Sequence, residues 1–246
     1  MDLGLRGRVA IVAAASKGLG RAVAEELAHE GAHIAICSRE AKSIEGTAID
    51  IQASTKQPVF WRAVDVRQEE AIAAFVADVE KEFGRVDICV TNSGGPPSNS
   101  FADTKVEDWR VAVDQLLMST VSFARETLPR MKRNNWGRFI TITSSAVKQP
   151  VDGLLLSNSL RAAVAGLART LANEYAAFGI TVNNVCPGYT RTHAWIILRK
   201  VFPRDQTPQR KRSSPAGLMR FPQAASERRR SLPLWLHSSR PSAPAT

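Results

Sequence analysis

The chain has 246 residues, 44% of them hydrophobic and 23% charged, and a formal net charge of +10. This suits one α/β domain with a buried core and excludes a wholly disordered chain; no apolar run nears the roughly 18 residues of a membrane span, so neither a transmembrane helix nor a membrane partner is expected. The charge does not point to nucleic acid, because residues 1–198 carry 22 Lys+Arg against 21 Asp+Glu, whereas residues 199–246 carry 11 against 2.

In chain order, Arg8 to Ala13 is a short apolar run that predicts a buried strand. Residues 18–30 follow with Leu19, Val23 and Leu27 at helical spacing, and Gly31 stops that helix. His33 to Cys37 predicts a second strand, residues 40–53 a helix, and Pro58 to Val64 a third strand. Residues 68–83 read as a helix ending at Gly84, and Val86 to Val90 as a fourth strand. One long helical stretch is expected over residues 106–133, then a fifth strand over Arg138 to Thr143, a helix over 155–178 and a sixth strand over Ile180 to Val185.

Near-continuously apolar strands separated by helices imply a parallel sheet covered on both faces. Right-handed crossovers make it doubly wound, a three-layer α/β architecture of the Rossmann type. Such sheets bind ligands beyond the carboxyl ends of their strands, so the loops after the strands are where function is expected. The first of them, Ala13-Ala-Ala-Ser-Lys-Gly-Leu-Gly20, leads directly into a helix. Glycine there permits a tight turn and lets phosphate oxygens approach backbone N–H groups at a helix N-terminus.

From this loop onward, over residues 5–195, the chain resembles the short-chain dehydrogenase/reductase family, and among its members the 3-oxoacyl-[acyl-carrier-protein] reductases. The family's T-G-x-x-x-G-x-G is matched by Gly18 and Gly20, with Ser16, Lys17 and Leu19 between and beside them, while Ala13 and Ala14 replace its Thr and first Gly. Lys17 and Arg39, the latter following Ser38 at the end of the second strand, stand where the resemblance implies contact with the 2′-phosphate of NADP. NADP(H) is therefore the expected cofactor, with NAD(H) less favoured, because an NAD site would place an acid after that strand. Asp65-Val66 resembles the family's adenine-contacting pair, though Asp65 also reads as a cap for the helix that follows. Asn92-Ser93-Gly94 resembles its N-A-G, and Pro187-Gly188 with Thr190 and Thr192 its nicotinamide-side P-G-x-x-x-T.

The catalytic positions depart from the family. Gly137-Arg-Phe-Ile-Thr-Ile-Thr-Ser144 places Ser144 as the serine that holds a carbonyl oxygen, with Ser145 as the near alternative. The expected tyrosine position holds Ser157, the expected lysine position holds Arg161, and the relay asparagine position holds Leu116. A serine hydroxyl is a weak acid and a guanidinium stays protonated, so a direct tyrosine-type proton transfer is not expected. The remaining route has Ser144 and Arg161 polarise the carbonyl while water or substrate supplies the proton. Tyr189 is a remote substitute. The expected function is NADP(H)-dependent hydride transfer to a small-molecule ketone, or from the corresponding alcohol, such as a 3-oxoacyl thioester. The alternative is a nucleotide-binding protein of the same fold with impaired catalysis. Cys37, Cys89 and Cys186, and the four histidines, show no metal-ligand or disulfide spacing, so no metal and a reducing cytoplasm are expected.

Two segments are expected: a nucleotide-binding domain over 1–195 and a basic Pro/Ser/Arg-rich segment over 196–246. The alternation of elements stops after the first, and seven of the 13 prolines lie in residues 199–246. Three readings fit that segment: a disordered basic arm, a divergent lid, or a shifted reading frame, the last favoured because the composition changes where the family's final strand should begin. On that reading the final strand is missing. The resemblance implies a homo-oligomer, a tetramer or dimer, through the helices of 106–133 and 155–178.

Overall fold

The computed structural model describes residues 2–188. The final strand, Tyr189, Thr190, Thr192 and the segment 196–246 named above lie outside the described residues.

Six strands form one parallel sheet in the order β3-β2-β1-β4-β5-β6. They are β1 Val9–Ala13, β2 His33–Ser38, β3 Val59–Ala63, β4 Ile88–Thr91, β5 Gly137–Ile142 and β6 Ile180–Val185. Side chains of successive strand residues point to opposite faces, and here both faces are dry. On β1, Val9, Ile11 and Ala13 join one core with Phe75, Phe123, Phe139 and Met131. Ala10 and Val12 join another with Ala24, Ala28, Ile44 and Ile51. That division explains the unbroken apolar run of β1. The strands toward the two ends of the order differ: β3 is half-buried with Arg62 and Ala63 exposed, and on β6 Thr181, Asn183 and Val185 are exposed.

The helices α1 Gly18–His29 and α2 Ala41–Thr55 supply the second core, and α3 Glu69–Phe83 the first. The stretch expected as one helix over 106–133 is interrupted. It divides into α4 Val106–Ala112, a wide π turn Val113–Met118, and α5 Ser119–Arg133. A π turn is invisible to apolar periodicity and is frequent at functional sites. The last helix, α6 Leu155–Tyr175, stops three residues short of the expected 178, and a 3-10 turn covers Ala176–Phe178.

One carboxylate ties the amino ends of the central strands. Asp87, fully buried, accepts from the Val9 amide (3.0 Å), Arg8 Nη1 (3.2 Å) and Arg85 Nε and Nη2 (2.7 and 2.6 Å). The Arg8 and Arg138 guanidinium groups also face the Trp136 ring, 3.9 and 4.3 Å from its centroid. This cluster lies at the end of the sheet opposite the loops considered next. The order of the sheet reverses between β1 and β4, so the crevice over the carboxyl ends of those strands is the expected ligand position.

Candidate active site

After β1 the backbone turns through Ala14 in the left-handed region (φ 49°) and through Gly18 (φ 62°). Helix α1 starts at Gly18 without a side-chain cap and without an acidic residue in its first turn. Its first N–H groups are therefore left to an outside acceptor, with the positive end of the helix dipole behind them. Gly20 is required by contact: a Cβ there would lie 2.5 Å from the Ala14 carbonyl oxygen and 3.0 Å from Asn92 Nδ2. That absence of a side chain lets helix, turn and the end of β4 close together. Lys17 is exposed beside it, and Ser16 and Leu19 are half-buried.

At the end of β2, Ser38 is buried, and its hydroxyl has no hydrogen-bond partner among the described residues. A buried polar atom left unpaired is the exception in a folded protein. Arg39 next to it is exposed. The Asp65 carboxylate accepts from the backbone N and the Nε of Arg67, at 3.1 and 3.0 Å. These bonds to Arg67, with a further pull from Arg39, hold Asp65 below the usual carboxylate range. Asp65 thus closes the turn before α3, whose N-terminal flanking residue is Gln68, and its charge is largely answered by Arg67. Buried Val66 follows it. Buried Cys37 is pushed up to about 12 by desolvation, so it offers no thiolate.

The remaining loops meet over β4 and β5. Asn92 and Ser93 are half-buried, and Gln115 Nε2 from the π turn donates to the Gly94 carbonyl at 2.7 Å. Ser144, half-buried past the end of β5, accepts from the Ala146 amide at 3.2 Å, and Ser145 is exposed. The Ser145 amide donates to Pro187 O at 3.0 Å and the Thr143 amide to Val185 O at 2.8 Å, which holds the Pro187-Gly188 segment beside Ser144. Ser157 and Arg161 stand one turn apart on α6, where Arg161 Nε donates to Ser157 Oγ at 3.2 Å. Arg161 Nη1 donates to the carbonyl oxygens of Ile142 (3.0 Å) and Thr143 (3.2 Å). Burial holds this guanidinium below its ordinary value. Leu116 is buried in the π turn against Ala112, Leu156 and Leu160, so that wall is apolar.

The family description "short chain dehydrogenase" matches residues 8–200 of the chain. The chain belongs to the short-chain dehydrogenase family. It is 31% identical over 192 residues to the uncharacterized oxidoreductase YvrD of Bacillus subtilis, a match covering 78% of this chain and 72% of that one. It is likewise 31% identical over 188 residues to the 3-oxoacyl-[acyl-carrier-protein] reductase FabG of Haemophilus influenzae, covering 76% of each. Among solved structures, L-sorbose reductase from Gluconobacter frateurii, complexed with NADPH and L-sorbose, superposes with a TM-score of 0.79 at 32% identity, covering 84% of this chain and 79% of that one. The oxidoreductase class and the nucleotide-binding Rossmann fold come with the family.

In this short-chain dehydrogenase, the sheet brings Ser144, Ser157 and Arg161 together at one end, with Gly20, Asn92 and Ser93 across the crevice. Sequence reasoning missed three features of the site. Arg67 sits on Asp65, Gln115 clamps Gly94, and the Cys186 thiol lies 3.3 Å from Thr143 Oγ1. The last two join residues from separate segments, and only Arg67 carried a local signal, an i, i+2 charge pair. Among the described residues no group of His, Cys, Asp or Glu could hold a metal, and no helix is long and apolar enough to cross a membrane.

Proposed function

We propose that the chain is an NADP(H)-dependent oxidoreductase acting on a small-molecule ketone or its alcohol, of which a 3-oxoacyl thioester is the first to try. The observation that carries this reading is the charge at the adenosine end. Arg39 and Lys17 are exposed, and Asp65, on which Arg39 also acts, is already paired with Arg67. Two exposed cations, with Asp65 already paired, suit a 2′-phosphate better than two ribose hydroxyls.

On this reading the first N–H groups of α1, with Ser16, Lys17, Gly18, Leu19 and Gly20, hold the pyrophosphate. Ser38, Arg39, Asp65 and Val66 take the adenosine, and Asn92, Ser93, Gly94, Arg161, Pro187 and Gly188 line the nicotinamide half, with Thr190 and Thr192 continuing that list. When bound, the dinucleotide supplies the hydride that reduces a carbonyl carbon. Ser144 Oγ donates to the carbonyl oxygen, and Ser157, whose oxygen already accepts from Arg161, keeps its own proton for the same oxygen. Water supplies the proton that completes the alcohol. The nucleotide-binding domain spans residues 1–195, in a cytoplasmic homo-oligomer.

Two titrations test the reading. Replacing Arg39 by Ala is expected to weaken NADPH binding by about tenfold, about 1.4 kcal/mol, and to leave NADH unchanged. Equal loss for both cofactors would contradict the assignment. Replacing Ser144 by Ala is expected to lower turnover by about a hundredfold, the usual cost of one oxyanion donor. The second reading, nucleotide binding without turnover, draws on Leu116, Ser157 and Arg161 standing at the catalytic positions. NADPH binding with no loss of dihydronicotinamide absorbance across ketones and 3-oxoacyl thioesters would favour it.

A further inference from the structure

Ser144 and Ser157 are joined by the segment between β5 and α6. Its first half winds into a 3-10 turn over Ser145–Val147, with the Lys148 and Gln149 amides donating to Ser145 O at 2.9 and 3.2 Å. Past Pro150 the backbone turns through Val151-Asp-Gly-Leu154. Gly153 takes the left-handed conformation there (φ 72°), and the Leu154 amide donates to Val151 O at 3.2 Å. Among the described residues one side chain from outside bonds to this turn. Asn158 Nδ2 donates to Val151 O at 2.8 Å, and the Val151 amide donates to Asn158 Oδ1 at 3.3 Å. An amide meets both needs at once, whereas a carboxylate could only accept.

The turn is tied to a second loop. Leu154 pairs with Asn99, in the loop after β4, as an isolated parallel bridge. On one side of Asn99 that loop is held where Gln115 donates to Gly94 O, and on the other where Thr104 Oγ1 donates to Ser100 O at 2.6 Å. Leu154 is thus a tie between those two anchors. Asn158 directly follows Ser157 on α6, so the grip on the turn and the serine hydroxyl ride on the same helix end. Residues 95–104 and 149–154 lie outside the set assigned to the dinucleotide.

We propose that Asn158 is a positioning residue. It locks the Val151–Leu154 turn to α6, and through Leu154 it steadies the loop after β4, so that the two loops form one wall on the substrate side of Ser144 and Ser157. That this wall faces the carbonyl substrate rests on the hydride-transfer reading; that the two loops are one unit does not.

Hydrogen exchange of the full chain without cofactor, read on peptic fragments, tests the joined wall. Asn158→Ala is expected to speed exchange about fivefold or more in residues 149–154 and also in 95–100, with α1 to α3 unchanged. Asn158→Asp keeps the volume and the acceptor but loses the donor, and it serves where Asn158→Ala does not fold; it is expected to speed both stretches to a lesser degree. Faster exchange in 149–154 alone, or in neither stretch, overturns the proposal.

Kinetics then test the positioning role. With acetoacetyl-coenzyme A as the ketone, Asn158→Ala is expected to raise its KM about tenfold, with kcat within about threefold and NADPH affinity within about twofold of the wild type. An unchanged KM, or an NADPH affinity that falls in proportion, overturns the role. If the wild type oxidises no NADPH with this or other ketones, the hydride-transfer reading falls and the substrate half falls with it, while the exchange result still decides whether the loops form one wall.

Discussion

Ala14 carries a methyl group where the turn runs left-handed, a conformation that costs an L-residue about 1 kcal/mol or more and glycine nothing. The substitution is legible in the sequence, but its cost depends on the φ of 49° that the fold imposes. Ala14→Gly is expected to raise stability by up to about 1 kcal/mol in denaturant unfolding, part of the relief being lost to the greater freedom of the unfolded chain. Gly20 is the opposite case. A Cβ 2.5 Å from the Ala14 oxygen must push the turn away from α1, so Gly20→Ala is expected to cost about 2 kcal/mol and abolish dinucleotide binding. Retained NADPH affinity in Gly20→Ala would show that the cradle does not hold the pyrophosphate. The residues of the catalytic end were legible by spacing alone, since a strand end and an i, i+4 pair are local. Their partners were not: that Arg161 would spend Nη1 on Ile142 and Thr143 follows only from α6 lying across the end of β5.

Among the elements, the segment 106–133 departs most from its pattern. Its apolar periodicity describes a helix throughout, yet a π turn at Val113–Met118 shifts the register and turns Leu116 onto Leu156 and Leu160 of α6. Hydrogen bonding of Ser119 and Thr120 back to Gln115 and Leu116 accompanies the turn. Nothing in the apolar periodicity distinguishes a widened turn from an ordinary one, and the contacts that accompany it are made with another helix. Leu116→Ala is expected to destabilise the protein by about 2–4 kcal/mol, measured by chemical denaturation, as it opens a hole in a small cluster. A cost under about 1 kcal/mol would mean that the cluster collapses readily around the loss. The π turn also presents Gln115 to Gly94, so the same variant is expected to disturb the loop after β4.

At the level of the whole molecule, the sheet order separates stability from chemistry. Asp87 gathers β1, β4 and two arginines at the amino ends of the strands, and the candidate site occupies the carboxyl ends. Replacing Asp87 by Asn leaves Arg8 and Arg85 facing a neutral amide, with an expected cost of about 3 kcal/mol in unfolding free energy. NADPH affinity of the folded fraction is expected to stay within about twofold of the wild type; a larger drop would show that the two ends are coupled. The sequence listed Asp87 only as one residue of an apolar strand, because its four donors come from residues up to 79 positions away.

By itself the sequence determined the class of the fold, the six strands within a residue or two, and the departures at Ala14, Leu116, Ser157 and Arg161. These are properties of local pattern and spacing, which the chain carries wherever it folds. It also separated a nearly neutral body from a strongly basic segment, so that the charge of +10 ceased to describe one object. The tertiary structure decided what the departures mean. Only the packing of α6 across the end of β5 commits Arg161 to Ser157 and to the carbonyl oxygens of Ile142 and Thr143, which residue type and spacing do not specify.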